Sequence, residues 1–394
     1  MKENKKKNKR KPNTKARTYR NRVIKIVSLL LAIGVTTWFL QEYMLCNADH
    51  NTERIRGFYL EDENSLDVVI VGSSEVYCDY SAALAYEECG FTSYPYSTES
   101  NTALNYKAII EEIKRTQNPQ LIVIEINGAI YGDANLVKDV NLRRVSDNMP
   151  LNENKIELVE KNATSDKIEY YVPFLKYHSS WDNLNNSFWW SLELIKDQVR
   201  GYNYLKGIKN RSVIYHPKSK VYRTDEIQSR KMALFNKADV AFREFLEYLQ
   251  GSGFTDDQIL FVRFPHVVTT DNVSRYYRGN TVGDIVREYG FSYISFDSDN
   301  PDIGIDTSHD FYNQEHMNIY GQQKFTKYFA KYLQEVYKIK PAKLTEKQKE
   351  VWDKTIPYYD AYIKYSDQLI NKGEDVQVGE NYDIMRQIEQ IMNK

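Results

Sequence analysis

The feature that most constrains this chain is the apolar run Val23–Leu45, VIKIVSLLLAIGVTTWFLQEYML, set directly behind a polar, basic leader. As a helix rising about 1.5 Å per residue, the run reaches roughly 34 Å, enough to cross the hydrocarbon core of a bilayer. Lys25 can snorkel to one interface, while Trp38 and Tyr43 suit the other, and Glu42 marks the outer exit. Residues 1–25 hold twelve Lys/Arg and one acid, Glu3, so the near-neutral total hides an asymmetry. The rest of the chain has 41 basic against 53 acidic residues. Positive charge stays on the cytoplasmic side. The expected topology is therefore single-pass, with the N-terminus cytoplasmic and the C-terminal domain outside the cytoplasm. A cleaved signal peptide fits less well, because the run is long and Cys46-Asn47-Ala48 is a poor cleavage site. The basic cluster sits on a flexible leader and the body is acidic, so nucleic acid is not an expected partner.

The chain divides on this reading into a leader (1–22), a transmembrane helix (23–45), a polar stalk (46–64), a large domain (65–340) and a charged helical tail (341–394). The tail carries Trp352, Tyr358, Tyr359 and Tyr362 to pack against something. Within the domain, Asp67-Val-Val-Ile-Val71, Leu121–Ile126, Gln258–Phe264 and Phe291–Phe296 are short apolar runs bounded by turn residues, as expected of buried parallel strands. Helices are expected over 81–89, 102–115, 241–249, 281–289 and 320–337. Alternating strands and helices imply a parallel sheet covered on both faces, with ligands at the carboxyl ends of the strands. Residues 150–235 break that rhythm. Rich in aromatics and amides, they read as a mostly helical insertion. Cys78 and Cys89 can either pair outside the cytoplasm or remain small buried residues.

Two segments can carry chemistry. Gly72-Ser73-Ser74-Glu75 follows the first strand, where a serine can present its hydroxyl at the top of the sheet beside helix-N-terminal amides. Asp310-Phe-Tyr-Asn-Gln-Glu-His316-Met-Asn318 precedes the last helix of the domain. It supplies an imidazole and a carboxylate, which a nucleophilic serine needs as base and orienter. His178, in Pro173-Phe-Leu-Lys-Tyr-His178, can line a substrate groove. His266 follows the third of these strands and can face the same site. No His/Cys spacing suits a metal and no glycine-rich loop suits a phosphate, so no cofactor is expected.

Taken together, the strand–Gly-Ser-Ser-Glu start and the Asp-Phe-Tyr-Asn-x-x-His-x-Asn-x-x-Gly-x-x-Lys-Phe-Thr end resemble the SGNH (GDSL-like) hydrolase superfamily. The similarity is to its membrane-anchored branch, which includes the D-alanyl-lipoteichoic acid transfer protein and alginate O-acetylation proteins. It spans roughly residues 66–335. The resemblance implies an α/β flavodoxin-like three-layer sandwich with a central parallel sheet. It makes Ser74 the nucleophile, His316 the base and Asp310 its acid partner, because Asn313 stands three residues before the histidine where the superfamily has Asp. Asn127 and Ser73 are then oxyanion or substrate contacts, although the usual glycine block corresponds to Ser97–Asn101, which has no glycine. The implied activity is an exported O-acyltransferase or acetylesterase acting on a cell-envelope polysaccharide or teichoic acid through a Ser-His-Asp acyl-enzyme. A membrane-bound O-acyltransferase would be its partner. The alternative is a non-catalytic binding or scaffold module in such a modification complex.

Overall fold

The computed structural model describes residues 14–43, 49–177, 184–297, 302–375 and 381–393. Helix α1 (Thr14–Tyr43) contains a span, Arg17–Leu40, of mean hydropathy 2.1 with none of its apolar window buried in the protein. Its length and composition suit a membrane crossing.

The domain is built on five parallel strands: β1 (Val68–Gly72), β2 (Ser93–Ser97), β3 (Leu121–Glu125), β4 (Ile259–Arg263) and β5 (Ser292–Ser295). Their order in the sheet is β2-β1-β3-β4-β5, with every neighbouring pair parallel. Every residue of β1 to β4 is buried, which is why three of these strands read as unbroken apolar runs. The exception is β2, Ser-Tyr-Pro-Tyr-Ser, which sequence reading assigned to no strand. Pro95 has no N–H to donate, and an edge strand tolerates that loss. The order reverses between β1 and β3, so the loops leaving these two strands flank a switch point, where open α/β sheets bind ligands.

The chain runs through α2 (His50–Phe58), α3 (Ser74–Asp79), α4 (Ala82–Cys89) and α5 (Ala103–Thr116) before β3. Between β3 and β4 lie α6 (Asn127–Ile130), α7 (Asp133–Leu136), α8 (Asp139–Ser146), α9 (Glu153–Asn162), α10 (Ile168–Tyr171), α11 (Leu184–Arg200), α12 (Thr224–Ile227) and α13 (Asn236–Gly251). Helix α14 (Val273–Glu288) joins β4 to β5, and α15 (Ile319–Val336), α16 (Glu346–Lys372) and α17 (Asn381–Met392) follow. Helix α14 starts well before the expected 281 because its first turns are polar and Gly279 looks like a break. That glycine instead lets Arg263 lie against the helix: an added Cβ would come within 2.6 Å of Arg263 Nη1.

Phe261 meets Phe242 and Phe245 of α13, whereas Phe264, three residues on, meets Phe325 and Phe329 of α15. The rings thus tie β4 to helices on either side. Phe329 is fully buried among Tyr80, Phe264, Phe296, Phe325 and Tyr332. Phe329→Ala should therefore cost about 3–5 kcal/mol, read as a lower midpoint in urea unfolding.

One segment differs from its sequence reading. Residues read as a polar stalk fold from His50 onward into α2, begun by Asp49 in a reciprocal capping box with Thr52. Ile55 and Phe58 are fully buried, and Phe58 stacks on Tyr96 of β2 at 4.3 Å. Arg54 is buried as well, bonded to Ser97 O and Asn51 Oδ1. The helical tail packs through the aromatic residues expected to do so: Trp352, Tyr359 and Tyr362 are buried. Trp352 lies under Lys206, which pairs with Glu61 at 2.6 Å, and Tyr359 donates to Gln322. Cys78 and Cys89 are both free and buried.

Candidate active site

Glycine at position 72 is dictated by crowding. A Cβ there would lie 2.6 Å from both Glu125 Cβ and Val76 Cγ2. The chain can therefore turn sharply from β1 into α3 and present Ser74, which remains partly exposed. Glu125, at the end of β3, braces this turn. Its Oε2 accepts from Ser73 N at 3.2 Å and bonds Ser73 Oγ at 3.1 Å, while Oε1 accepts from Asn127 N at 2.6 Å. One side chain thus couples the loops leaving β1 and β3. Burial, reinforced by the charge of Glu75, pushes the Glu125 carboxyl up to about 8, so it is protonated at neutral pH. Sequence reading missed Glu125, although an acid ending an otherwise apolar buried strand was a visible signal.

The loop 310–318 folds back on itself as a narrow hairpin. Tyr312 N donates to His316 O, Asn318 N donates to Asp310 O, and Phe311 bridges Met317. The hairpin is fixed to α3 by Met317 N donating to Asp79 Oδ1 at 2.8 Å and by a 3.2 Å contact between Cys78 Sγ and the Tyr312 hydroxyl. The Tyr312 ring stacks on His316 at 5.2 Å, 5° from parallel.

In this setting His316 Nε2 lies 2.7 Å from Ser74 Oγ. Nδ1 of the same ring lies 3.0 Å from Asn313 Oδ1. Asn313 Oδ1 also accepts the backbone N–H groups of Glu315 and His316 at 2.8 and 2.9 Å. An amide nitrogen cannot accept those bonds, so the orientation of the Asn313 side chain is settled by the backbone. Nδ1 must then carry the proton and Nε2 the lone pair facing the serine hydroxyl. That is the tautomer a general base requires. His316 as a residue is half-buried, and desolvation by its surroundings pulls its pKa down to about 4 against the opposing charge of Glu75, leaving the ring neutral at neutral pH.

The expected acid partner, Asp310, is elsewhere. It sits at the base of the hairpin opposite Asn318, fully buried, while His316 is near the tip. Its Oδ2 bonds Lys324 Nζ at 2.6 Å and Asp306 N at 2.7 Å, and Oδ1 contacts His309 Nδ1 at 3.0 Å. Asp310 therefore anchors the loop, and Asn313 orients the histidine. Ser73, expected as an oxyanion or substrate contact, is fully buried and turned toward Glu125, so it braces the turn instead.

Asn127 is buried at the mouth of the β3 loop. Among the described residues its Nδ2 has no hydrogen-bond partner, an orphan donor of the kind an oxyanion would satisfy. It lines a space of about 10 Å³ together with Ile130, Arg263, His266, Arg275 and Glu315, and Arg275 and Glu315 form an ion pair there. Asn101, in the segment expected to stand in for the glycine block, is committed to bracing: its Nδ2 donates to Gly72 O at 3.0 Å. His266 is buried and paired with Glu75 at 3.1 Å. His178 lies outside the described residues. Compared with known proteins, the chain matches no family model and no curated sequence.

Proposed function

We propose that this protein is a serine acyltransferase or esterase of the SGNH type, with a flavodoxin-like three-layer sandwich, acting on a polysaccharide or teichoic acid of the cell envelope. The observation that carries the reading is the 2.7 Å contact between Ser74 Oγ and His316 Nε2 at the switch point of the sheet. Ser74 Oγ attacks the acyl carbonyl as its proton passes to His316 Nε2, and Asn127 Nδ2 donates to the developing oxyanion. The tetrahedral intermediate collapses, His316 returns the proton to the departing oxygen, and an acyl ester remains on Ser74. A sugar hydroxyl or water then gives its proton to His316 and takes the acyl group, and His316 returns that proton to Ser74 Oγ as it leaves. Asn313 replaces the acid of the usual triad, holding the ring in the correct tautomer without adding charge.

Helix α1 serves as the anchor, with the leader cytoplasmic and the domain outside. There the acyl donor is delivered by a membrane-bound O-acyltransferase-type partner, and tethering both proteins to one membrane raises their effective concentration. The neutral Asn313 favours one second reading, a scaffold that binds the polymer without turnover. Hydrolysis of p-nitrophenyl acetate by the full-length chain in detergent, beside Ser74→Ala, separates the two. The enzyme reading expects Ser74→Ala to lose about 10³-fold or more. Equal rates in both proteins leave the scaffold.

A further inference from the structure

The imidazolium that forms on His316 during turnover needs a negative charge nearby, and within its own loop the group on Nδ1 is a neutral amide, while Asp310 is bonded to Lys324 and Glu315 is paired with Arg275. We infer that Glu75, held by His266 and Asp297, supplies that charge, so that Glu75 and His266 are positioning residues of the Ser74–His316 pair; the inference rests on the esterase reading above. Glu75 follows Ser74 directly in α3 and is 1% exposed. Its Oε1 lies 3.1 Å from His266 Nε2, and among the described residues its Oε2 has no hydrogen-bond partner. His266, 5% exposed, extends the line: Nδ1 is 3.7 Å from Asp297 Oδ1, an ion-pair separation rather than a hydrogen bond. Asp297 in turn lies 3.9 Å from Arg263 Nε and accepts from Ser295 Oγ at 2.6 Å.

The loops and ends of three strands thus contribute a buried row of alternating charge, Glu75, His266, Asp297 and Arg263. Buried ion pairs of this kind seldom stabilise a fold more than apolar packing would. Placed against a candidate nucleophile, the row is better understood through its electrostatic effect on the site.

Around Glu75 stand His266, His316, Arg275 of α14, Glu125 at the end of β3 and Asp79 on its own helix, with Tyr106 and Tyr131 also in its field. Of the three carboxyls, burial together with Glu75 pushes Asp79 well above the usual carboxylate range and Glu125 up to about 8. Glu75 itself is held below the usual carboxylate range: burial opposes this, but His266, with His316 and Arg275, together outweighs it. His266 is kept charged in turn. Burial would lower it, yet Glu75 and Asp297 raise it to about 9. Among the charges acting on His316, Glu75 is the strongest and the one that favours the protonated ring.

The test is the pH profile of kcat/KM for p-nitrophenyl acetate, measured on the full-length chain in detergent. Glu75→Gln should lower the rate about 10- to 100-fold and move the acid limb to lower pH, because His316 loses its counter-charge. His266→Gln should move that limb the opposite way, because Glu75 without its cation ionises only at higher pH. Adding Asn313→Asp to Glu75→Gln places a carboxylate on Nδ1 and should recover most of the loss, which a purely structural role for Glu75 would not allow. A folded Glu75→Gln protein with wild-type rate and an unmoved limb, or no recovery in the double variant, overturns the inference. If Glu75→Gln does not fold, His266→Gln decides by its rate at acid pH: a loss that Asn313→Asp restores supports the inference, and a wild-type rate or no recovery overturns it. A wild-type rate no greater than that of Ser74→Ala instead removes the esterase reading on which the inference stands.

Discussion

His316→Ala is expected to reduce Ser74-dependent ester turnover by about 10³- to 10⁴-fold while leaving thermal unfolding almost unchanged. The large effect follows from the geometry. Among the described residues the serine hydroxyl has a base within reach at 2.7 Å, and that base is neutral at neutral pH with its lone pair on the correct nitrogen. The small effect on stability follows as well. The hairpin carrying His316 is held by Met317 N on Asp79, by Asp310 on Lys324 and by backbone bonds, none of which involves the imidazole. Because Ser74 and His316 act as one unit, the double alanine variant should be no slower than either single variant. Kinetics on all three proteins checks both statements.

Gly72→Ala should have the second-largest effect, and of a different kind. The added Cβ would meet two carbons at 2.6 Å, one on Glu125 and one on Val76, and neither is the free end of a flexible chain. The strand end and α3 must move apart. A cost of about 1–3 kcal/mol in stability is expected. The loss of activity should be larger than stability alone explains, about 100-fold, because a shift of roughly 1 Å in Ser74 breaks its alignment with His316. Circular dichroism on melting, together with ester kinetics, separates the two components. A folded protein with wild-type turnover would show that Glu125 and Val76 do not fix the turn.

Much of the sheet was legible because its central strands are buried on both faces and so appear as short β-branched runs. β2 was not, since Tyr94, Pro95 and Tyr96 give neither a continuous nor an alternating apolar pattern. Its burial depends on partners far along the chain, such as Phe58 and Arg54 of α2. The same long-range pairing hid α2, where Arg54 is buried against Ser97 O and Asn51 Oδ1 accepts from Glu99 N. At the site, Ser74 and His316 stand out by their positions at strand and helix ends. Asp310 was the natural acid by charge, but the hairpin register, invisible in composition, turns it toward Lys324 and leaves Asn313 beside the ring. The Glu75–His266 pair carried no spacing signal, because it joins the loops of two different strands.

The most direct test is whether an acyl group becomes attached to Ser74. The full-length chain in detergent, mixed with p-nitrophenyl acetate and quenched in acid during the first turnover, can be digested and mapped by mass spectrometry. The account expects one acetyl group on the peptide containing Ser74, and none on that peptide in His316→Ala. Acetylation spread over surface lysines alone, with Ser74 unmodified while product accumulates, would contradict it.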